Sequence, residues 1–203
     1  MPCAPGSCMN TFRYYLALLY TVMLPPTLLM WVLIHPFIKF WRRVGLLWTY
    51  VMLTAVVCPG IVGLFLMRRT LLAVEFGTSW PLLALGVLCV AVAVRLRVRL
   101  HRHFSNQQLL GLPELAPDRY SQQLVTEGLH ARVRHPRYLQ YLLVLAGCAL
   151  MANYFALYLT LAVLVPEIWL IVILEEKELR ARFGPAYDHY CREVPRFIPR
   201  RRG

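Results

Sequence analysis

Residues 139–174 read LQYLLVLAGCALMANYFALYLTLAVLVPEIWLIVIL, and this stretch decides the fold. Two apolar runs, 139–152 and 154–174, are separated by the single polar residue Asn153. The second run is long enough to cross a bilayer core; the first is short for it. With almost no connection between them, the two must form a tight antiparallel helical hairpin. Upstream, residues 14–34, 44–67 and 80–94 are nearly charge-free and long, or almost long, enough to span. The 203 residues are 59% hydrophobic, with mean hydropathy +0.53, which does not suit a soluble domain. The expectation is an all-α integral membrane protein of five spans, ending in the helical hairpin and a cytoplasmic helical tail. The first span is too long, and too poor in cleavage features, for a removable signal peptide. Pro25-Pro26 predicts a kink within it, and His35-Pro36 marks its end.

Charge gives an orientation. With five spans, residues 34–44, 95–137 and the tail after 174 fall on one side, and they carry 3, 8 and 8 of the 22 Lys and Arg residues. The remaining segments carry 1, 2 and none. The positive-inside rule then places the amino terminus outside and the carboxyl terminus in the cytoplasm. The net charge of +12 does not point to nucleic acid, because the basic residues flank apolar spans without aromatic interleaving. Membrane lipids are the expected partners, and the tail PRFIPRRRG is read as an anchor to anionic headgroups. The six cysteines show no metal-ligand spacing, so no metal is expected. Three lie inside spans; Cys3 and Cys8 are candidates to pair on the outer side.

The chain divides into a membrane module, residues 1–100, and a second module, residues 101–203, that holds the chemistry. The latter opens with the basic end of span three, including His101 and His103, and a long polar loop with Gly111, Pro113 and Pro117. It closes with EEKELRARFGPAYDHYCREVPRFIP, an amphipathic helix broken at Gly184-Pro185, a short helix and an extended tail. The polar loop, the hairpin and the tail meet on the cytoplasmic face, which is where a site belongs.

Residues 132–138, RVRHPRY, lie at the mouth of span four. Pro136 is favoured at the first position of a helix. The helix start leaves backbone N–H groups of Arg137, Tyr138 and Leu139 unpaired and partly positive. Adding Arg134, His135 and Arg137 makes a socket for an anion, with the Tyr138 hydroxyl one turn inside. The plainer reading is a basic collar against lipid phosphates. Glu175 and Glu176 sit where span five leaves the membrane. They are either a solvated helix end, with an i,i+4 pair such as Glu176–Arg180, or one wall of a site. The hairpin brings them beside the start of span four, and a gap between cations and carboxylates suits an amino-acid-like zwitterion.

At these residues the chain resembles the isoprenylcysteine carboxyl methyltransferase family of integral-membrane enzymes. The matching pattern is Gly128, Arg134-His135-Pro136, Tyr138, Glu175-Glu176, Leu179, Phe183-Gly184, Tyr187, Tyr190, Val194-Pro195 and Pro199, in order and spacing through about residues 120–200. The resemblance implies S-adenosylmethionine as methyl donor. It carries His135, Pro136, Arg137 and Tyr138 to the cofactor, with Gln122, Gln123, Leu124 and Val125 lining the same pocket. One glutamate of the pair, Glu175 before Glu176, would also hold the cofactor, and a lipophilic acceptor would enter from the bilayer. Three positions depart from the pattern. His130 stands for a tyrosine, Gln140 stands for a glycine, and no arginine precedes the glutamate pair near Ile171 to hold an acceptor carboxylate.

A carboxylate acceptor requires no general base, whereas an amine, hydroxyl or thiol does. Glu167, following Pro166 inside an apolar span, is one candidate base, since ionisable groups there are costly. His130 at the cytoplasmic edge is the other. Their plainer readings are a carboxyl paired with a neighbouring helix and a surface histidine. Two other functions fit parts of the pattern: a sterol-type reductase using NADPH, which shares an Arg-His-Pro segment, and a non-catalytic membrane scaffold. The first three spans are left to shape a lipid entrance or to form a homo-oligomer.

Overall fold

The computed structural model describes residues 5–101 and 124–199. Its helices are α1 (Pro5–Ile34), α2 (Ile38–Val44), α3 (Leu46–Leu66), α4 (Arg68–Leu71), α5 (Trp80–His101), α6 (Pro136–Ala152), α7 (Phe155–Phe183) and α8 (Pro185–Glu193), with a 3₁₀ turn at Gly128–Ala131. Four of them, α1, α3, α5 and α7, are long and apolar enough to cross a membrane. The remaining crossing expected from the sequence is α6, an apolar helix of 17 residues. At 1.5 Å per residue it measures about 25 Å, a few ångströms less than the hydrocarbon core. The chain is an all-α membrane protein. Helix α1 continues through Pro25 and Pro26 without a break. The Thr27 hydroxyl donates to the Met23 carbonyl one turn back.

Helix α5 lies along α6 with almost no side chain between them. A Cβ added to Gly147 would stand 2.7 Å from the Gly86 carbonyl oxygen and 2.8 Å from Val90 Cγ2. A Cβ on Gly86 would stand 2.6 Å from the Gly147 carbonyl oxygen. Two backbones that touch gain dense van der Waals packing, the main attraction available between helices in lipid. On another side of α6, Ala17 of α1 packs into a cluster with Cys148, Ala149 and Ala152.

The hairpin turn is as short as its sequence requires. Asn153 takes a left-handed conformation, φ 55°, at the end of α6, and Tyr154 leads into α7. The Asn153 side chain donates to the Gly77 carbonyl at 2.9 Å, and the Tyr158 hydroxyl donates to its amide oxygen at 2.9 Å. Arg13 is fully buried beside this turn. Its guanidinium donates to the Ala152 carbonyl (2.9 Å), Glu75 (2.7 Å) and Thr78 (3.1 Å). One end of the bundle therefore joins the start of α1, the α4–α5 link and the hairpin turn. The opposite end joins the end of α1, the start of α6 and the end of α7, where Arg42 meets Glu178 at 3.1 Å.

Candidate functional site

Glu176 is fully buried near the end of α7, and six contacts from four side chains converge on it. Arg134 donates through Nη2 (2.9 Å) and Nε (3.1 Å), and Arg196 through Nη2 (2.8 Å) and Nε (3.1 Å). His135 Nε2 lies 3.2 Å away, and Arg180 one turn along α7 completes the ring at 3.7 Å. The positive mouth of α6 thus does hold a carboxylate, supplied by the same chain. The i,i+4 pair with Arg180 exists but is the longest of these contacts. Charge-assisted bonds at this density offset the cost of removing a carboxylate from water.

The described part of the tail, through Pro199, folds back on the mouth of α6, and Arg200, Arg201 and Arg202 of the expected lipid anchor lie outside the described residues. Arg134 N–H donates to the Pro195 carbonyl (2.8 Å), and His135 N–H to the Arg196 carbonyl (3.1 Å). Further Arg134 bonds run to the carbonyls of Cys191 (2.9 Å) and Val194 (2.5 Å). Arg196 also lies over the Trp169 ring at 5.2 Å, and Phe197 packs on both Trp169 and His135. The reason is the buried charge of Glu176, which needs more counter-charge than α6 alone supplies. Arg196 was missed in the sequence because no short spacing links it to Glu176; a buried carboxylate in search of a second arginine was the available signal.

Glu175, one residue earlier, faces the other way. Its Oε2 is buried without a hydrogen bond among the described residues; His135 Nδ1 stands 3.7 Å from it, and the Tyr138 hydroxyl interacts with the same carboxylate. Glu175 borders a cavity of about 90 Å³ that opens outward, lined by Leu124, Val125, His130, Arg134, His135, Glu175, Leu179, Phe183, Tyr187 and Tyr190. Helix α8 contributes the two tyrosines because Gly184, φ 54°, turns the chain back beneath α7. Burial raises both phenols, Tyr190 to about 12, so both stay neutral at physiological pH. The Tyr190 hydroxyl donates to the His130 carbonyl at 2.7 Å, fixing the 3₁₀ turn. His130 Nδ1 lies 3.2 Å from the Arg134 carbonyl, which can only accept, so Nδ1 carries the proton. Burial lowers the His130 pKa below its ordinary 6.5, an effect only partly offset by that bond.

Of the residues expected at the site, Leu124, Val125, His130, Arg134, His135 and Glu175 are brought together around this cavity. Gln122 and Gln123 lie outside the described residues, as do Cys3 and His103. Pro136 is buried at the first position of α6. Tyr138 is not in the lining itself: its ring packs with Ile168, Ile171 and Val172, Arg137 lies over it at 5.3 Å, and its hydroxyl interacts with Glu175. Glu176 is behind the cavity wall. Glu167 is half-buried on α7, eight residues before Glu175 and so about 12 Å from it along the axis.

The sequence model of the phospholipid methyltransferase family matches residues 81–186, just over half of the chain, from the first turn of α5 into α8. The chain belongs to this family. The match covers the α5–α6 contact, the hairpin and the glutamate pair, so the cavity is formed largely by the segment that defines these membrane methyltransferases. The chain is also similar to the nickel-cobalt-cadmium resistance protein NccN of Alcaligenes xylosoxydans xylosoxydans, 34% identical over 82 residues. That alignment covers 40% of this chain and 38% of NccN. No solved structure matches the chain.

Proposed function

We propose that the protein transfers a methyl group from S-adenosylmethionine to a lipophilic acceptor drawn from the bilayer, at the cavity between α6, α7 and α8. The observation that carries this reading is the buried, unshared oxygen of Glu175 in a pocket whose other charged residues are already engaged. A cationic head fits that oxygen, and an amino-acid-like donor carries an ammonium. Leu179, Phe183, Tyr187 and Tyr190 supply apolar and aromatic surface for a nucleoside. Family membership supports methyl transfer in general, and the Arg-His-Pro, Glu-Glu and Val-Pro order supports the narrower isoprenylcysteine carboxyl methyltransferase type. When bound, S-adenosylmethionine supplies an electrophilic methyl on a sulfonium.

The chain's own residues bind, orient and exclude water. Holding two reactants in register can supply roughly 7–11 kcal/mol in favourable cases. If the acceptor reacts through a hydroxyl, amine or thiol, its proton needs a base. His130, with Nδ1–H committed to the Arg134 carbonyl and its pKa depressed, presents the neutral imidazole that role requires. Glu167 is the alternative for an acceptor held deeper along α7.

Isothermal titration of the purified protein with S-adenosylhomocysteine and, separately, NADPH tests the reading. Binding of the first alone is expected. Binding of NADPH alone would replace methyl transfer by reduction, and binding of neither would leave a scaffold.

A further inference from the structure

A second cavity, about 370 Å³, lies between α1, α6 and α7, one turn into the membrane from the site. Tyr20, Leu24 and Trp31 of α1 face Gln140, Tyr141 and Ile168 across it. Its walls are mostly apolar, and one feature is not explained by hydrophobic packing. Gln140 is only 8% exposed, and its Oε1 has no hydrogen-bond donor among the described residues. A buried amide oxygen left without a donor is destabilising, so its place in this cavity calls for an occupant that supplies one. No Lys, Arg, His, Asp or Glu lines the space. A carboxylate or ammonium brought in would be buried without a counter-charge, which excludes charged heads. A hydroxyl meets the requirement: it donates to Oε1 and accepts from the amide N–H₂, whichever way the amide is turned.

We propose that this cavity binds the acceptor, that the acceptor is an uncharged lipophile bearing a hydroxyl, and that Gln140 selects it. This rests on the methyl-transfer reading above for the word acceptor, but not for the cavity or its chemistry. The volume is in the range of ordinary small-molecule sites and suits a long chain or a fused-ring body. Thr27 on the same wall spends its hydroxyl on the Met23 carbonyl, and Tyr20 and Tyr141 also line the space, so the Gln140 variant below isolates the share of the amide.

The test uses the full chain in lipid nanodiscs with three photoreactive probes of equal length: a long-chain alcohol, its fatty acid and its alkane, each carrying a diazirine. Labelled peptides are mapped by mass spectrometry while S-adenosylhomocysteine affinity is measured in parallel. The alcohol is expected to label peptides around residues 20–31 and 140–145, roughly tenfold more than the acid or alkane, the size of one buried hydrogen bond. Gln140→Met, close in volume, is expected to abolish the preference for alcohol over alkane with thermal stability intact. Val144→Phe, which fills the cavity, is expected to suppress labelling by all three probes and serves if the first variant is unstable. Equal labelling by alcohol and alkane in the native chain, or a preference that survives in both variants, overturns the proposal. Preserved alcohol preference without S-adenosylhomocysteine binding removes the methyl-transfer reading and keeps the cavity assignment; the reverse pattern does the opposite.

Discussion

Glu175 and Glu176 are adjacent in the chain and opposite in role. Side chains one residue apart on a helix diverge by about 100°, so one carboxylate faces the ion ring and the other faces the cavity. Glu176→Gln leaves Arg134 and Arg196 opposed without a full counter-charge. Breaking a buried ionic group in this way costs about 3 kcal/mol, and a clear fall in melting temperature should be seen in detergent. Glu175→Gln should leave the melting temperature near native and weaken S-adenosylhomocysteine binding by about tenfold or more, the loss of one charge-assisted contact. If the two variants exchange phenotypes, the assignment of roles is wrong. His130 gives a pH effect with a definite sign. Its pKa in the folded chain is depressed by burial, so between that value and the ordinary 6.5 the unfolded chain binds more protons. The stability contributed by His130 is therefore present above about pH 6.5 and is lost as the pH falls towards the depressed value. His130→Gln should show a smaller drop in melting temperature than the native protein between about pH 7.5 and 5.5.

At the scale of elements, the contact between α5 and α6 fixes where the site's helix stands. Gly147→Val places atoms where Gly86 and Val90 already are. The helices must separate, and overpacking of this kind costs about 1–3 kcal/mol. Thermal unfolding should register that loss; an unchanged melting temperature would mean that the two helices do not touch as described. The hairpin was legible before the structure because a lone Asn between two apolar runs leaves no room for any other connection. The break at Gly184-Pro185 was legible for a similar reason: proline opens helices, and the glycine takes the left-handed turn before it. The partnership between Arg196 and Glu176 was not legible, because it joins residues twenty apart through a fold-back that no local pattern encodes. The basic mouth of α6 was read as open to an outside anion for the same reason. A sequence displays the charges but not which of them are already satisfied.

For the whole molecule, the distribution of charge and the grouping of segments at the two ends of the bundle agree. That agreement predicts an orientation. Cys8, exposed near the start of α1, lies at the end opposite the cavity. In a variant whose only cysteine is Cys8, an impermeant maleimide should react in right-side-out vesicles without permeabilisation; labelling only after permeabilisation would invert the topology. Composition and run length were enough to specify an all-helical membrane protein, because every buried N–H in lipid must be paired within its own segment. They were not enough to locate the second cavity, since Gln140 stands out only once its neighbours are known to offer it nothing.

The ion ring also sets an order of manufacture. The apolar helices α1, α3, α5, α6 and α7 all precede residue 196 in the chain, yet Glu176 receives Arg196, beside Arg134 and Arg180, only when that residue has been made. A chain halted just after α8 would be inserted in full and would still lack the clasp that draws Arg134 and His135 into place. The buried ion ring is therefore complete only once the segment after α8 has been made and folded back.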